Sequence, residues 1–417
     1  MTELSFQRRV LDNGLTLLFH ANSSVPLLSL CAFFLAGKDQ NPMDSPGLSS
    51  LTARLLDEGT EHYEEEQISQ TLEGIGAELT TFGERELSGA CLSLQSGDLQ
   101  IGIELLADML RRPTFPPERI ELERHQITNH IQAMSDDPQI VGSQLLNEWV
   151  YSGTPLAKPV LGTMESITRL TREQVVEFHR RRLGPGNCVL VAVGDVDFGD
   201  LLDAVVSHLG DWHNADFELV RLEGLQRQRT PIYDHRPMDK EQVNIYLGHL
   251  GVTRANPDFY ALQVMDTILG GGPGFTSRIP RKIRDEQGLA YLTYADLTGS
   301  SGVYPGRFVA FVGTAPENAQ LALDSLKREI ALFLEDGPDQ DELETAQEFL
   351  TGSFVFELQS NASVARLLLS IEVFSLGRSF LVRYPDLVRA VTLNDVRRVA
   401  ARYLDTINYT TVIVGSL

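Results

Sequence analysis

The sequence predicts an α+β fold of two homologous domains arisen by duplication, each a mostly antiparallel sheet with helices packed on one face. Three observations predict it. A helix-and-strand segment recurs at a fixed offset, alternating strands and long amphipathic stretches follow one another in the same order in each half, and neither half has a G-x-G-x-x-G turn of the kind that opens a parallel dinucleotide-binding sheet.

The recurrence is plainest where Leu170-Thr171-Arg172-Glu173-Gln174-Val175-Val176 leads through Arg182-Leu183 to an apolar strand, Val189 to Val193, ending at Gly194. Its echo is Val391-Thr392-Leu393-Asn394-Asp395-Val396, through Tyr403-Leu404, to Thr411 to Val414 and Gly415. Thr392 lies 221 residues after Thr171, and Gly415 lies 221 after Gly194. Further back, Gly89 to Leu94 and Arg307 to Val312 alternate as strands do. Each precedes a stretch with apolar residues near helical spacing: Leu99, Ile103, Leu106 and Leu110 in the first half, Leu321, Leu323, Leu326 and Ile330 in the second. Between the halves, Glu223 to Pro231 is polar and rich in turn formers. This places a linker there and the domains at residues 1–222 and 223–417.

With 417 residues, 42% hydrophobic and 22% charged, the chain has the makings of more than one buried core. A net charge of −22 argues against nucleic acid or an anionic membrane surface as partner and leaves basic or neutral peptides compatible. Cys31, Cys91 and Cys188 sit in separate apolar runs with no C-x-x-C pair, so buried reduced thiols are expected. No apolar run reaches the length of a membrane span, and the N-terminus lacks the pattern of a signal peptide. A cytoplasmic location is the simplest expectation, a periplasmic one if a leader has been removed.

Two stretches carry the chemistry. In the first half, Asp44 to Thr60 reads as a helix with apolar Leu48, Leu51 and Leu55, a plausible N-cap and a glycine stop. Its frame, Gly47-Leu48 followed by a helix ending in Gly59-Thr60, resembles the zinc helix of the pitrilysin/insulinase peptidases, marked by H-x-x-E-H. That motif sets two histidines on one helical face and a glutamate able to deprotonate a zinc-bound water. Here the three positions are Ser50, Ala53 and Arg54, which offer a poor ligand, no base and a fixed positive charge. The family's third ligand, a glutamate on a later helix, falls at Asn129 or His130. His125 and His130 are five apart and do not share a face, and the other histidines lack ligand spacing. The resemblance therefore implies no catalytic residue, no metal and no other cofactor in this chain.

In the second half, Ile268-Leu269-Gly270-Gly271-Gly272 reads as a helix ending in a glycine turn. Thr276 or Ser277 then caps a new helix with Pro280 in its first turns, Gly288 stops it, and a strand begins near Leu289. Arg284 falls in the last helical turn and Tyr291, seven positions on, at the start of the strand. From the residues alone, these are a solvated charge and a half-buried aromatic. The whole run, G-G-G, S-R, then R-D-E-Q-G-L-A-Y, is similar to the second-domain signature of the same peptidases, with Pro273 and Gly274 as a slight lengthening of the loop. The resemblance gives Arg284 and Tyr291, with the turn Gly270, Gly271 and Gly272, a role in binding substrate. It also implies a partner, because some members of the family are heterodimers in which one subunit carries zinc and the other does not. The expected function is thus the non-catalytic, substrate-binding half of a zinc endopeptidase acting on peptides, with zinc in the homologous partner subunit. Activity is expected only with that partner. In isolation a homodimer is the natural substitute. An inert structural homologue is the alternative. A peptide is expected to add as a strand to a sheet edge, with Ala77 to Phe82 as the candidate edge.

Overall fold

The structure, a computed structural model, describes residues 5–272 and 277–417. Two compact units emerge. The first comprises the chain up to Gln132, Lys158–Arg221 and Phe356–Phe380; the second comprises Ala133–Ala157, Leu222–Val355 and Leu381–Leu417.

The first unit holds a six-stranded sheet of β1 (Gln7–Val10), β2 (Thr16–Ala21), β3 (Leu27–Phe34), β4 (Glu78–Gly83), β5 (Ser88–Gln95) and β6 (Cys188–Gly194), in the order β1-β2-β6-β3-β5-β4. The second holds β7 (Ile232–Arg236), β8 (Val243–Leu250), β9 (Leu292–Asp296), β10 (Arg307–Thr314) and β11 (Thr410–Val414), in the order β7-β11-β8-β10-β9. In each sheet one pair is parallel, β2 with β6 and β7 with β11, and the rest are antiparallel. Without β1, the first sheet has the topology of the second, strand for strand. Both sheets end on a short edge strand, β4 and β9.

Helices cover one face of each sheet. In the first unit, Leu17, Phe19, Leu28, Leu30, Leu92, Leu94 and Leu190 form a core with helix residues such as Leu51, Ile103, Leu106 and Leu110. The opposite face is covered as well, by one helix drawn from the other half of the sequence. Strand β3 reads LLSLCAFF and is buried along nearly its whole length, the mark of a strand with protein on both sides. Its second face lies under the Asn361–Val373 helix, whose Arg366 sits over the Phe82 ring at 5.2 Å and pairs with Glu84 at 3.0 Å. In the second unit, the Pro138–Val150 helix does the same for Tyr246, Phe311, Val412 and Val414. Gly142 permits the close approach, since a Cβ there would lie 2.4 Å from the Tyr246 ring. Both covering helices are 13 residues long, and Asn361 follows Pro138 by 223 residues, so the two exchanged segments are themselves equivalent in the repeat. Sequence reading predicts contiguous halves; the compact units instead each include one helix from the other half.

One expectation is corrected outright. Cys31 and Cys91 are not reduced thiols: they are register partners on β3 and β5 and form a disulfide, leaving Cys188 as the buried free cysteine. Their separation of 60 residues gave no hint of this, because cross-strand register is invisible in spacing. Burial pushes the Cys188 thiol well above its ordinary range. Among the described residues no helix is long and apolar enough to cross a membrane.

Candidate functional site

In the first unit the helix at the site runs Leu48–Arg54. It begins at Gly47, whose φ of +93° favours glycine, rather than at a side-chain cap. Leu48, Leu51 and Leu55 point into the core, as their spacing predicts. Ser50 and Ala53 are buried, and the helix packs on edge strand β4. Contact is closest at Gly83, the last residue of β4, where a Cβ would lie 2.8 Å from the Ser50 Cα.

Arg54 faces the Pro117–Ser135 helix and donates from Nη1 to the Oε2 of Glu123 at 3.1 Å. Glu123 is buried on one helical face with Ile120 and Ile127, whereas His125, Asn129 and His130 are exposed. The residue that meets the degenerate helix is therefore Glu123, six and seven positions before the two that sequence alignment singles out. The signal was present: Glu123 lies three after Ile120 and four before Ile127, on the apolar stripe. Around this pair stand further carboxylates. Arg119 pairs with Glu58 and, at 3.5 Å, with Glu65. Burial, reinforced by repulsion from Glu58, Glu123 and Glu65, pushes the Asp57 carboxyl up to about 6.

These residues do not fit a catalytic zinc. Arg54 places a permanent cation beside Glu123, Ser50 is a weak ligand, and Ala53 supplies no base. Among the described residues no group of three or more His, Cys, Asp or Glu side chains is arranged to hold a metal ion.

In the second unit the Phe259–Asp266 helix widens through Thr267–Gly271 into the glycine turn. Gly270 lies flat against edge strand β9; a Cβ there would come within 2.2 Å of the Ala295 nitrogen. The far side of the turn is closed by Ser277, whose buried hydroxyl accepts from the Gly272 N–H at 3.0 Å and donates to the Thr267 carbonyl at 3.0 Å. The predicted cap at Thr276 and the loop residues Pro273 and Gly274 lie outside the described residues. Ser277 serves as a clasp between the turn and the next helix rather than as a cap. That helix, Pro280–Glu286, ends as predicted at Gly288, whose φ is +67° and whose N–H reaches the Arg284 carbonyl at 3.1 Å.

Arg284 sits in the last turn, paired with Asp285 at 2.7 Å, which holds its guanidinium above its ordinary range and the Asp285 carboxyl below. The strand starts at Leu292, slightly later than predicted. Tyr291 stands just before it, with its N–H on the Gly313 carbonyl at 3.1 Å and its side chain 72% exposed. The phenol has no hydrogen-bond partner among the described residues. The expected half-buried aromatic is thus displayed to solvent at the mouth of an edge strand.

Two residues that sequence reading passed over hold this corner together. Asp266 accepts from the N–H groups of Leu297 and Thr298 at 3.0 and 2.8 Å and from the Thr298 hydroxyl at 2.5 Å, tying the helix to the end of β9. Asp296, capping Gly299 at 2.9 Å, is hydrogen-bonded to Asp266. Burial raises both carboxyls; repulsion from Asp296 adds to the rise at Asp266, and Arg307 opposes it at Asp296.

A family model described as Insulinase (Peptidase family M16) matches residues 21–164, and one described as Peptidase M16 inactive domain matches residues 169–350. Among curated proteins the chain is similar to an uncharacterized zinc protease of Mycobacterium leprae, 28% identical over 361 residues that cover 79% of each chain. One of the same description from Streptomyces coelicolor is 26% identical, over 94% of this chain and 86% of that one. Among solved structures, a peptidase M16 inactive domain from Pseudomonas fluorescens superposes with a TM-score of 0.92 at 26% identity, over 99% of each chain. A protease from Helicobacter pylori shares the fold, with a TM-score of 0.89 at 18% identity over 98% of this chain and 99% of that one.

Proposed function

The chain belongs to the insulinase, or M16, family of peptidases, and from that premise we propose that it is the non-catalytic, substrate-binding member of a two-chain zinc endopeptidase. The zinc, its water and the general base belong to a homologous partner subunit. This chain contributes Arg284 and Tyr291, on the corner built by Gly270, Gly271 and Gly272, to the binding of a peptide.

The observation that carries the reading is the contrast between the two units. The helix where the family places its metal is filled by Arg54 and closed by Glu123. Tyr291, in contrast, is displayed to solvent seven positions after Arg284, its phenol without a hydrogen-bond partner among the described residues. A phenol and a guanidinium are hydrogen-bond donors suited to a peptide carbonyl and to the oxyanion it becomes. Among the described residues β4 and β9 have no strand on their outer sides, where an extended peptide could pair in a mode that binds without strict sequence choice. The disulfide across β3 and β5 supports residence in an oxidising compartment such as a periplasm rather than the cytoplasm.

Metal analysis and peptide cleavage by the purified chain, alone and mixed with the zinc-bearing homologue from the same genome, test the proposal. No stoichiometric zinc, no cleavage alone and strong cleavage by the mixture are expected. Chelator-sensitive cleavage by this chain alone would overturn the proposal. A mixture no faster than the homologue alone would favour an inert assembly role.

A further inference from the structure

We propose that Thr314 is a positioning residue for Tyr291: its buried hydroxyl fixes where the phenol stands relative to the helix end that carries Arg284. This rests on the reading of Tyr291 as a substrate-binding donor and adds the residue that places it.

The need for such a residue follows from how Tyr291 is held. Its side chain makes no hydrogen bond or ring contact among the described residues, so the main chain decides where the phenol stands. That main chain is tied on two sides. The Gly288 N–H reaches the Arg284 carbonyl at 3.1 Å and the Leu289 N–H reaches the Ile283 carbonyl at 2.9 Å, which binds the segment to the helix. Ile283 is fully buried, so this end is anchored in the core. On the other side the Tyr291 N–H reaches the Gly313 carbonyl of β10 at 3.1 Å.

Thr314 joins the two sides. It is the last residue of β10 and fully buried, and its hydroxyl donates to the Leu289 carbonyl at 2.5 Å. Leu289 is thus held through its N–H by the helix and through its carbonyl by the strand, two positions before Tyr291. The bond is buried, so water does not replace it when it is lost. Pairing of β9 with β10 begins only at Leu292, opposite Gly313. Tyr291 lies outside that ladder, and the Thr314 bond keeps the preceding chain from swinging about the Gly313 carbonyl.

The first sheet shows the contrast. Gln95 ends β5 as Thr314 ends β10: Gln95 lies opposite the first residue of β3, and Thr314 opposite the first residue of β8. Gln95 is exposed, and its side chain has no hydrogen-bond partner among the described residues. The tie is found in the unit that carries Arg284 and Tyr291.

The test has two readings. In the first, amide hydrogen exchange of the full chain is followed by mass spectrometry over Gly288 to Leu292, with β8 as the control for the fold. Thr314→Val, which keeps the shape and removes the hydroxyl, is expected to speed exchange there about tenfold without changing β8. Thr314→Ser, which keeps the hydroxyl, is expected to stay near wild type. Unchanged exchange in Thr314→Val overturns the tie. In the second, kcat/KM for a quenched-fluorescent peptide is measured with the zinc-bearing homologue from the same genome. Thr314→Val is expected to lower it about tenfold in the wild-type background but less than about twofold in the Tyr291→Phe background, with Thr314→Ser restoring it. Equal falls in both backgrounds mark a merely structural role and overturn the positioning. A loss on Tyr291→Phe with none on Thr314→Val also overturns it while leaving the functional reading intact. No loss on Tyr291→Phe removes that reading, and the positioning with it.

Discussion

At the scale of single residues, the ion pair of Arg54 with Glu123 holds the position where the family resemblance places the metal helix. Removing Arg54 altogether strands Glu123 as a buried, unpaired carboxylate. Arg54→Ala is expected to cost about 1–3 kcal/mol in urea unfolding, the lower figures reflecting the arginine's partial exposure, and Arg54→Lys much less. Asp57 gives a pH signature. Its carboxyl is raised by burial from the ordinary 3.8 to about 6, so between those values the folded chain holds more protons than the unfolded one. Stability from this group is then full below about 4 and falls as pH rises through about 6. Asp57→Asn is expected to flatten that fall, leaving the variant about 1–2 kcal/mol more stable than wild type at pH 7.5 but not at pH 4. Equal stability differences at both values would remove Asp57 from this account. Ser50, Ala53 and Arg54 stand out in the sequence because each departs from the motif of the resembling family at a fixed spacing. Glu123 was not, because its partner is set by which helix face meets which neighbour.

Among elements, the corner that presents Tyr291 depends on how closely a helix lies on β9. Gly270 has no room for a side chain, since the nearest atom to a Cβ would be the backbone nitrogen of Ala295 at 2.2 Å. Gly270→Ala is therefore expected to destabilise by about 1–3 kcal/mol in thermal or urea unfolding and to weaken substrate binding with it. Ser277→Ala removes two hydrogen bonds in a buried place and is expected to cost about 1–3 kcal/mol. Conservative Ser277→Thr is a harsher test of space than of bonding. The glycine turn, the Gly288 stop and the strand after it were readable from residue types, because glycine and proline act locally. The clasp at Ser277 and the Asp266–Asp296 pair were not, because they join residues brought together only by the turn itself.

For the whole molecule, the repeat seen at a constant offset returns as two sheets of matching strand order, and this much periodicity could reveal. Which sheet each 13-residue covering helix packs on could not be read, because an amphipathic stripe reports that a helix is buried, not against what. The apolar run of β3 on both faces was the available clue that a second cover was needed. The Cys31–Cys91 bond was hidden for a similar reason, being a matter of strand register. Maleimide labelling of the denatured chain is expected to find one thiol without reductant and three with it. Reduction is expected to lower stability by up to about 4 kcal/mol, the chain-entropy value for a closed loop of 60 residues.

The central claim is that this chain completes a partner's active site through a phenol held at the start of an edge strand. Its most direct test is kcat/KM for peptide cleavage by the zinc-bearing partner, reconstituted with wild-type chain and with Tyr291→Phe. Tyr291 is exposed, so the substitution leaves the fold intact. A fall of about tenfold or more is expected, the loss of one donor to the developing oxyanion. An unchanged kcat/KM contradicts it.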